Sequence, residues 1–276
     1  MKKAYHAMNF ACEILMIIIS IIFIYPIFFM ITASFRSRLD FADSPAGLPR
    51  TFTFGNIIEA FYRMNFVRVF MNSAIITVIS LIIILVIGSM AAYAISRWGG
   101  RWANNIYLFF TAGMLVPIQV CMIPLYKFMV DLKLLNNLLS CILVYCGAWM
   151  TSTIFIYAGF MKTIPRELDE AAFIDGATIR YTFWAIVFPL LKPINATLII
   201  ITAIGIWNDF LLPLLYLQKA EARTIQIGLY AFSGIYGTDW TGMFSAMVLT
   251  TIPIILLYIF LNKHIMKGIV AGAVKG

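Results

Sequence analysis

Ile164-Pro-Arg-Glu-Leu-Asp-Glu-Ala-Ala-Phe-Ile-Asp-Gly-Ala-Thr178 is a polar interruption between two long hydrophobic stretches. Pro165 suits a first helical position, where its missing N–H leaves nothing unsatisfied. Glu167, Asp169 and Glu170 then fall near the positive end of the helix dipole. Leu168, Ala171, Ala172 and Asp175 share one face at helical spacing, and its two alanines let a partner approach closely. Gly176 can take a positive φ and end the helix. A second helical run follows from Tyr181 to Leu191. The stretch reads as a short helix, a glycine turn and a second helix at a membrane surface.

The order Glu170-Ala171-Ala172, three residues, Gly176, nine residues, Ile186, one residue, Phe188-Pro189 resembles the EAA loop of ABC importer permeases, with Phe188 where leucine is usual. The stretch from Ile164 to Ala177 resembles the carbohydrate-uptake branch of that family, typified by the smaller maltose-transporter permease. The resemblance implies the type I ABC importer permease fold. It also implies an ATPase-coupling role for Glu167, Glu170, Ala171, Ala172, Asp175, Gly176, Ile186 and Pro189.

Composition agrees with a polytopic membrane protein. Hydrophobic residues make up 62% of the 276 and charged residues 12%, and mean hydropathy is +0.94. A soluble domain is about half apolar and a quarter charged. The net charge of +8 is scattered over span ends, so it reads as topology and gives no reason to expect nucleic acid. Cys12, Cys121, Cys141 and Cys146 lie in or beside apolar segments without metal spacing, which predicts buried free thiols. The first apolar run lacks a small-residue cleavage site and reads as a retained helix.

Uncharged windows near twenty residues, as a hydrocarbon core of ~30 Å requires, predict six transmembrane helices in an all-α polytopic membrane protein. Their approximate ranges are 14–34, 70–95, 106–126, 138–160, 193–215 and 243–261. They form a single permease domain over 1–276, with a coupling loop over 162–191 and a tail over 262–276. Lys2 and Lys3 place the N-terminus in the cytoplasm, and six spans return the C-terminus there. Eleven of the twenty Lys and Arg residues then lie inside, a modest bias that the EAA loop reinforces.

Within this frame several features point to function. The segment 35–69 opens with turn residues Pro45, Gly47 and Pro49. An amphipathic helix over 54–66 follows, with Ile57, Ile58, Phe61 and Tyr62 at helical spacing. Gly88, Ala91, Ala92 and Ala94 permit close helix contact in lipid. Pro117 and Pro124 flank Gln119 and predict a kinked or broken span beside a cavity. Trp207-Asn208-Asp209 places an ionisable group in the fifth span; Asp209 fits either a pathway residue or a hydrated cap at the outer interface. With Gln119, these three are the candidate translocation pathway. Trp207 to Pro213 also resembles the carbohydrate permease family.

The resemblance extends to two further segments. The glycine-rich stretch 218–241 corresponds to a loop that docks the solute-binding protein, which selects Gly234, Tyr236, Gly237, Asp239 and Trp240. The run 268–276 resembles the family's tail and assigns an ATPase contact to Gly272, Val274, Lys275 and Gly276. The sequence has no P-loop, no H-E-x-x-H and no G-x-S-x-G. It therefore reads as a non-enzyme without cofactor or metal of its own, ATP and Mg belonging to a partner. The implied assembly is a heterodimer with a second permease, two ATPase subunits and an extracytoplasmic solute-binding protein, in a bacterial plasma membrane and touching its lipid. The implied function is sugar or oligosaccharide import by alternating access. The rival reading, an ion-coupled carrier or channel, calls for ionisable groups in several spans, and Asp209 alone qualifies clearly.

Overall fold

The computed structural model describes residues 2–234 and 237–273. Its α-helices are α1 (Lys2–Ser34), α2 (Arg38–Asp43), α3 (Gly55–Arg63), α4 (Phe66–Trp98), α5 (Gly100–Gly113), α6 (Ile118–Asp131), α7 (Leu138–Met161), α8 (Glu167–Ile174) and α9 (Ile179–Tyr181). A π-helical stretch Thr182–Val187 continues α9 into α10 (Phe188–Leu190). α11 (Lys192–Asn208), α12 (Leu211–Tyr216), α13 (Ile225–Tyr230) and α14 (Trp240–Ala273) complete the series. A two-strand antiparallel ribbon, β1 (Ser233–Gly234) with β2 (Gly237–Thr238), lies before α14.

Three helices are single apolar rods long enough to cross a membrane: Cys12–Ser34 within α1, then α4 and α7. The expected span 106–126 is a broken pair, and a second bent pair joins the end of the expected coupling loop to the start of the fifth span. α5 and α6 meet at 95°, because Pro117 lacks an N–H and forces Val116 out of the α region. The Ile179–Leu190 run meets α11 at 73°. There Pro193 cannot donate to the carbonyl of Pro189. The expected fifth span of 193–215 stops at Asn208, where Asp209 is extended, and restarts as α12. Trp240–Leu256 is the described apolar part of the sixth.

The chain packs as two compact units, residues 1–67 with 228–252 and residues 68–227 with 253–276. In the first, α1 leaves an apolar surface uncovered all round, from Ile14 to Phe28, as a lipid-facing helix should. The segment after α1 folds around Arg36, which is 1% exposed. Its guanidinium forms a bidentate pair with Asp40, at 3.0 and 3.1 Å. It also donates to the carbonyls of Asp40, Ser44, Pro45 and Gly47. A buried guanidinium with its donors used in this way is stable where an unpaired one is not. The Asn56 amide of α3 donates to the carbonyls of Ser34 and Arg36. In α3, Ile58 and Tyr62 stay exposed while Ala60 is buried, as is Met64 just after the helix. Cys12 is exposed on α1, so the expectation of four buried thiols holds for Cys141 and in part for Cys121 and Cys146.

The Arg36 guanidinium holds the Asp40 carboxyl below its ordinary 3.8. A lowered folded-state pKa contributes stability above the unfolded value, and the contribution is lost as pH falls through the folded value. Hydrogen exchange across 37–50 is therefore expected to accelerate on acidification below about pH 4. Asp40→Asn should accelerate it already at pH 7 and flatten the acid response.

In the second unit, α4 and α7 contribute to two cores, one shared with α11 and α12 and the other with the π-helical stretch. One gathers Ile76, Ile84, Cys141, Tyr145 and Tyr216, and the other gathers Ala92, Tyr93, Tyr157, Phe183 and Leu191. Gly88 faces Thr153 so closely that an added Cβ would lie 2.7 Å from its Cγ2, the close approach expected of the small residues of α4. Asn72 and Ser73 hold residues 221–225 by hydrogen bonds to backbone.

Candidate functional site

The polar interruption folds as expected in outline. α8 begins at Glu167 with Arg166 as N-cap, so Pro165 sits ahead of the helix and not at its first position. α8 ends through Gly176 at φ +80°, whose amide donates to the Phe173 carbonyl at 3.0 Å. Thr178 then caps α9, its hydroxyl accepting from the Tyr181 amide.

Of the face expected to meet a partner, only Ala172 turns inward, at 6% exposure, and Asp169 is buried beside it at 5%. Glu167, Glu170, Ala171 and Asp175 are exposed. Leu168 and Phe173 are about half exposed and Ile174 is 86% exposed. Ile179 and Tyr181 are also exposed, so the turn carries uncovered apolar groups beside carboxylates. Ile186 is half-buried in the π-helical stretch, and Pro189 is exposed.

Asp169 is the residue that sequence reading missed as a functional candidate. The Tyr93 hydroxyl of α4 donates to its Oδ1 at 2.6 Å, and Arg97 Nε lies 2.9 Å from its Oδ2. Removing one partner of a buried ion pair typically costs about 3–5 kcal/mol. The sequence held only half a signal for this arrangement: Tyr93 and Arg97 share a face at the end of an apolar helix, but nothing near Asp169 sets it apart.

Three of the four expected pathway residues come together. Gln119, Asn208 and Asp209 line one cavity of about 890 Å³, with Tyr145 and Trp149. Asp209 accepts from the Tyr145 hydroxyl at 2.8 Å and from the Leu211 amide at 2.9 Å. It therefore borders the cavity and also caps the break before α12. Trp207 is not in the lining; its ring packs edge-on against Phe70. Gln226 reaches the Trp207 carbonyl and the Asn208 side chain at 3.4 Å.

In the first unit, Gly234 and Gly237 pair across the ribbon, Gly237 at φ +137°. Trp240 is half exposed. Asp239 is engaged: it accepts from Arg38 at 3.0 Å and Arg63 at 2.9 Å, and from the Gly242 amide at the start of α14. Tyr236 lies outside the described residues. Of the tail, Gly272 belongs to α14, while Val274, Lys275 and Gly276 also lie outside them.

The fold is a set of long apolar helices, two of them bent at prolines, with a short acidic helix and a glycine turn between them. Residues 84–270 match the family described as "Binding-protein-dependent transport system inner membrane component", and the chain belongs to that family. It is an inner-membrane permease of the ABC importer type and not itself the catalytic subunit. Over the full length of both chains it is 33% identical to a probable starch degradation products transport system permease of Thermoanaerobacterium thermosulfurigenes. It is 36% identical, again over both whole chains, to a multiple sugar-binding transport system permease of Streptococcus mutans. A melibiose/raffinose/stachyose import permease of Bacillus subtilis is 34% identical over 91% of each chain. Among solved structures, a chain of a bacterial ABC transporter that imports alginate superposes with TM-score 0.84 at 22% identity, covering 94% of this chain and 96% of that one. This likeness establishes the type I fold.

Proposed function

We propose that this permease carries sugars or oligosaccharides inward, forming half of a pathway completed by a second, different permease. Its relatives named for starch products, raffinose-type sugars and multiple sugars support the substrate class. The observation that carries the coupling role is α8. Its inner face is tied down through Asp169, while Glu167, Glu170, Ala171 and Ile174 face outward before a glycine turn. Two ATPase subunits take this face from the cytoplasm, on the same side as both termini, and hydrolyse ATP with Mg. The ribbon around Gly234 and Gly237, with Trp240, meets the solute-binding protein; Asp239 shapes it from behind.

The test is reconstitution of the chain with its partner permease, ATPase and binding protein in liposomes. ATP-dependent uptake of malto- or raffinose-type oligosaccharides is the expected result. Uptake driven by an ion gradient without ATP would replace the proposal with the carrier reading.

Asp209 tests the pathway assignment. In a background lacking the four native cysteines, Asp209→Cys is expected to react with a membrane-impermeant thiol reagent, and loaded binding protein plus ATP should change the rate. No reaction in any nucleotide state assigns Asp209 to capping alone.

A further inference from the structure

Asp169 sits between exposed residues on a surface helix, yet it is almost fully buried and paired with Arg97. Its partners all belong to the last turns of α4. The Tyr93 hydroxyl donates to Oδ1 at 2.6 Å, and Arg97 Nε is 2.9 Å from Oδ2. Both terminal nitrogens of Arg97 also lie 3.3 Å from the carbonyl of Ile164, on the chain leading into α8. From the other direction, Arg166 donates to the Ser96 carbonyl at 2.8 Å. Residues 164–169 are thus tied to residues 93–97 by polar contacts running both ways. Behind them the Tyr93 ring packs on Phe183, 5.3 Å between centroids, in the second helical run.

The chemistry of these ties differs from that of the surrounding core. Apolar contact is non-directional, so two helices joined by it alone can slide or roll. A charge-assisted hydrogen bond fixes both distance and direction. A buried pair also resists separation, because each partner would be left as an uncompensated charge.

We propose that Asp169, Arg97 and Tyr93 form a rigid joint through which displacement of α8 is passed to α4. The proposal rests on the reading of α8 as the ATPase contact and adds where its motion enters the membrane helices. α4 is a single helix of 33 residues, so a shift imposed at Tyr93 and Arg97 is carried along it toward Asn72. Asp169 is a positioning residue: it moves no substrate and touches no nucleotide.

The experiment uses the reconstituted four-component complex and reads basal ATPase rate, stimulation by loaded binding protein, and uptake. Wild type must show stimulation; its absence there overturns the reading of α8 as the ATPase contact and not the joint. Asp169→Asn keeps the shape and an acceptor for Tyr93 but loses the charge. Stimulation and uptake are expected to fall roughly tenfold, within the range of ordinary coupling effects, at unchanged basal rate. Tyr93→Phe removes only the hydroxyl and decides the matter if Asp169→Asn fails to assemble; a smaller loss of stimulation is expected. The pair Arg97→Leu with Asp169→Leu removes both charges, leaving no unpaired ion to unfold the loop. This double variant is expected to assemble with normal thermal stability and still lack stimulation. Full stimulation in the double variant, or in both single variants, overturns the joint and leaves these residues a folding role.

Discussion

Gly176→Val is expected to abolish uptake while leaving the chain inserted and assembled with its permease partner. Gly176 holds φ at +80°, and an added Cβ there meets no atom within 4 Å. The effect is therefore one of backbone and not of crowding. An L-residue at left-handed φ costs roughly 1–2 kcal/mol, and a β-branched one costs more because its side chain crowds the backbone. The turn escapes by changing φ, which releases the Gly176 amide from Phe173 and the Ala177 amide from Ala172. The chain after α8 then leaves in another direction, and the apolar groups Ile174 and Ile179 no longer keep their relative positions. Asparagine tolerates this region, so Gly176→Asn should retain most activity, Gly176→Ala less, and Gly176→Val under about a tenth, as a loss beyond ~1.4 kcal/mol implies. The measurement is ATP-dependent uptake per assembled complex. Equal uptake by the Asn and Val variants would remove the turn from the mechanism.

Gly205→Ala is expected to lower the melting temperature of the purified complex, although alanine is the better helix former by about 1 kcal/mol. The reason is Trp149 of α7, whose indole lies across Gly205 of α11. An alanine Cβ would fall onto its Cζ2 and within 2.8 Å of its Cη2. Overpacking of this kind costs about 1–3 kcal/mol, so the sign is set by the clash. Because Trp149 also lines the cavity with Asp209, pushing the indole aside should alter labelling of Asp209→Cys as well. Adding Trp149→Ala to Gly205→Ala is expected to restore part of the lost stability, although Trp149→Ala alone destabilises. A melting temperature raised by Gly205→Ala would mean that α7 and α11 do not pack this way in the membrane.

What could be read from the sequence follows from which interactions are local. The helix–turn at 167–176 was legible because its signals lie within one another's reach: carboxylates at the start, glycine at the end. The break before Gln119 was legible from Pro117 for the same reason. The buried side of α8 was not, because Asp169 is buried by Tyr93 and Arg97, more than seventy positions earlier, and nothing near Asp169 marks it as different from Glu167 or Glu170. Arg36 escaped notice likewise. An arginine after an apolar helix suggests an interfacial charge, and only the folding of 40–47 around it turns it into a buried hub. Trp207 was grouped with its neighbours by chain position, but helical spacing turns it away from Asn208 and Asp209, toward Phe70.

The π-helical stretch from Thr182 to Val187 has a further consequence. A π-turn holds one residue more than an α-turn, the trace an inserted residue leaves when a helix absorbs it without unwinding. Taking one residue out of this stretch would give a regular α-helix whose two ends keep their relative phase, because the widened turn already absorbs that residue. The change would fall inside the stretch, on the buried Phe183 and Val187. The extra residue thus acts as local slack: its loss would disturb the packing of Phe183 on Tyr93 and leave the helices on either side at their azimuths.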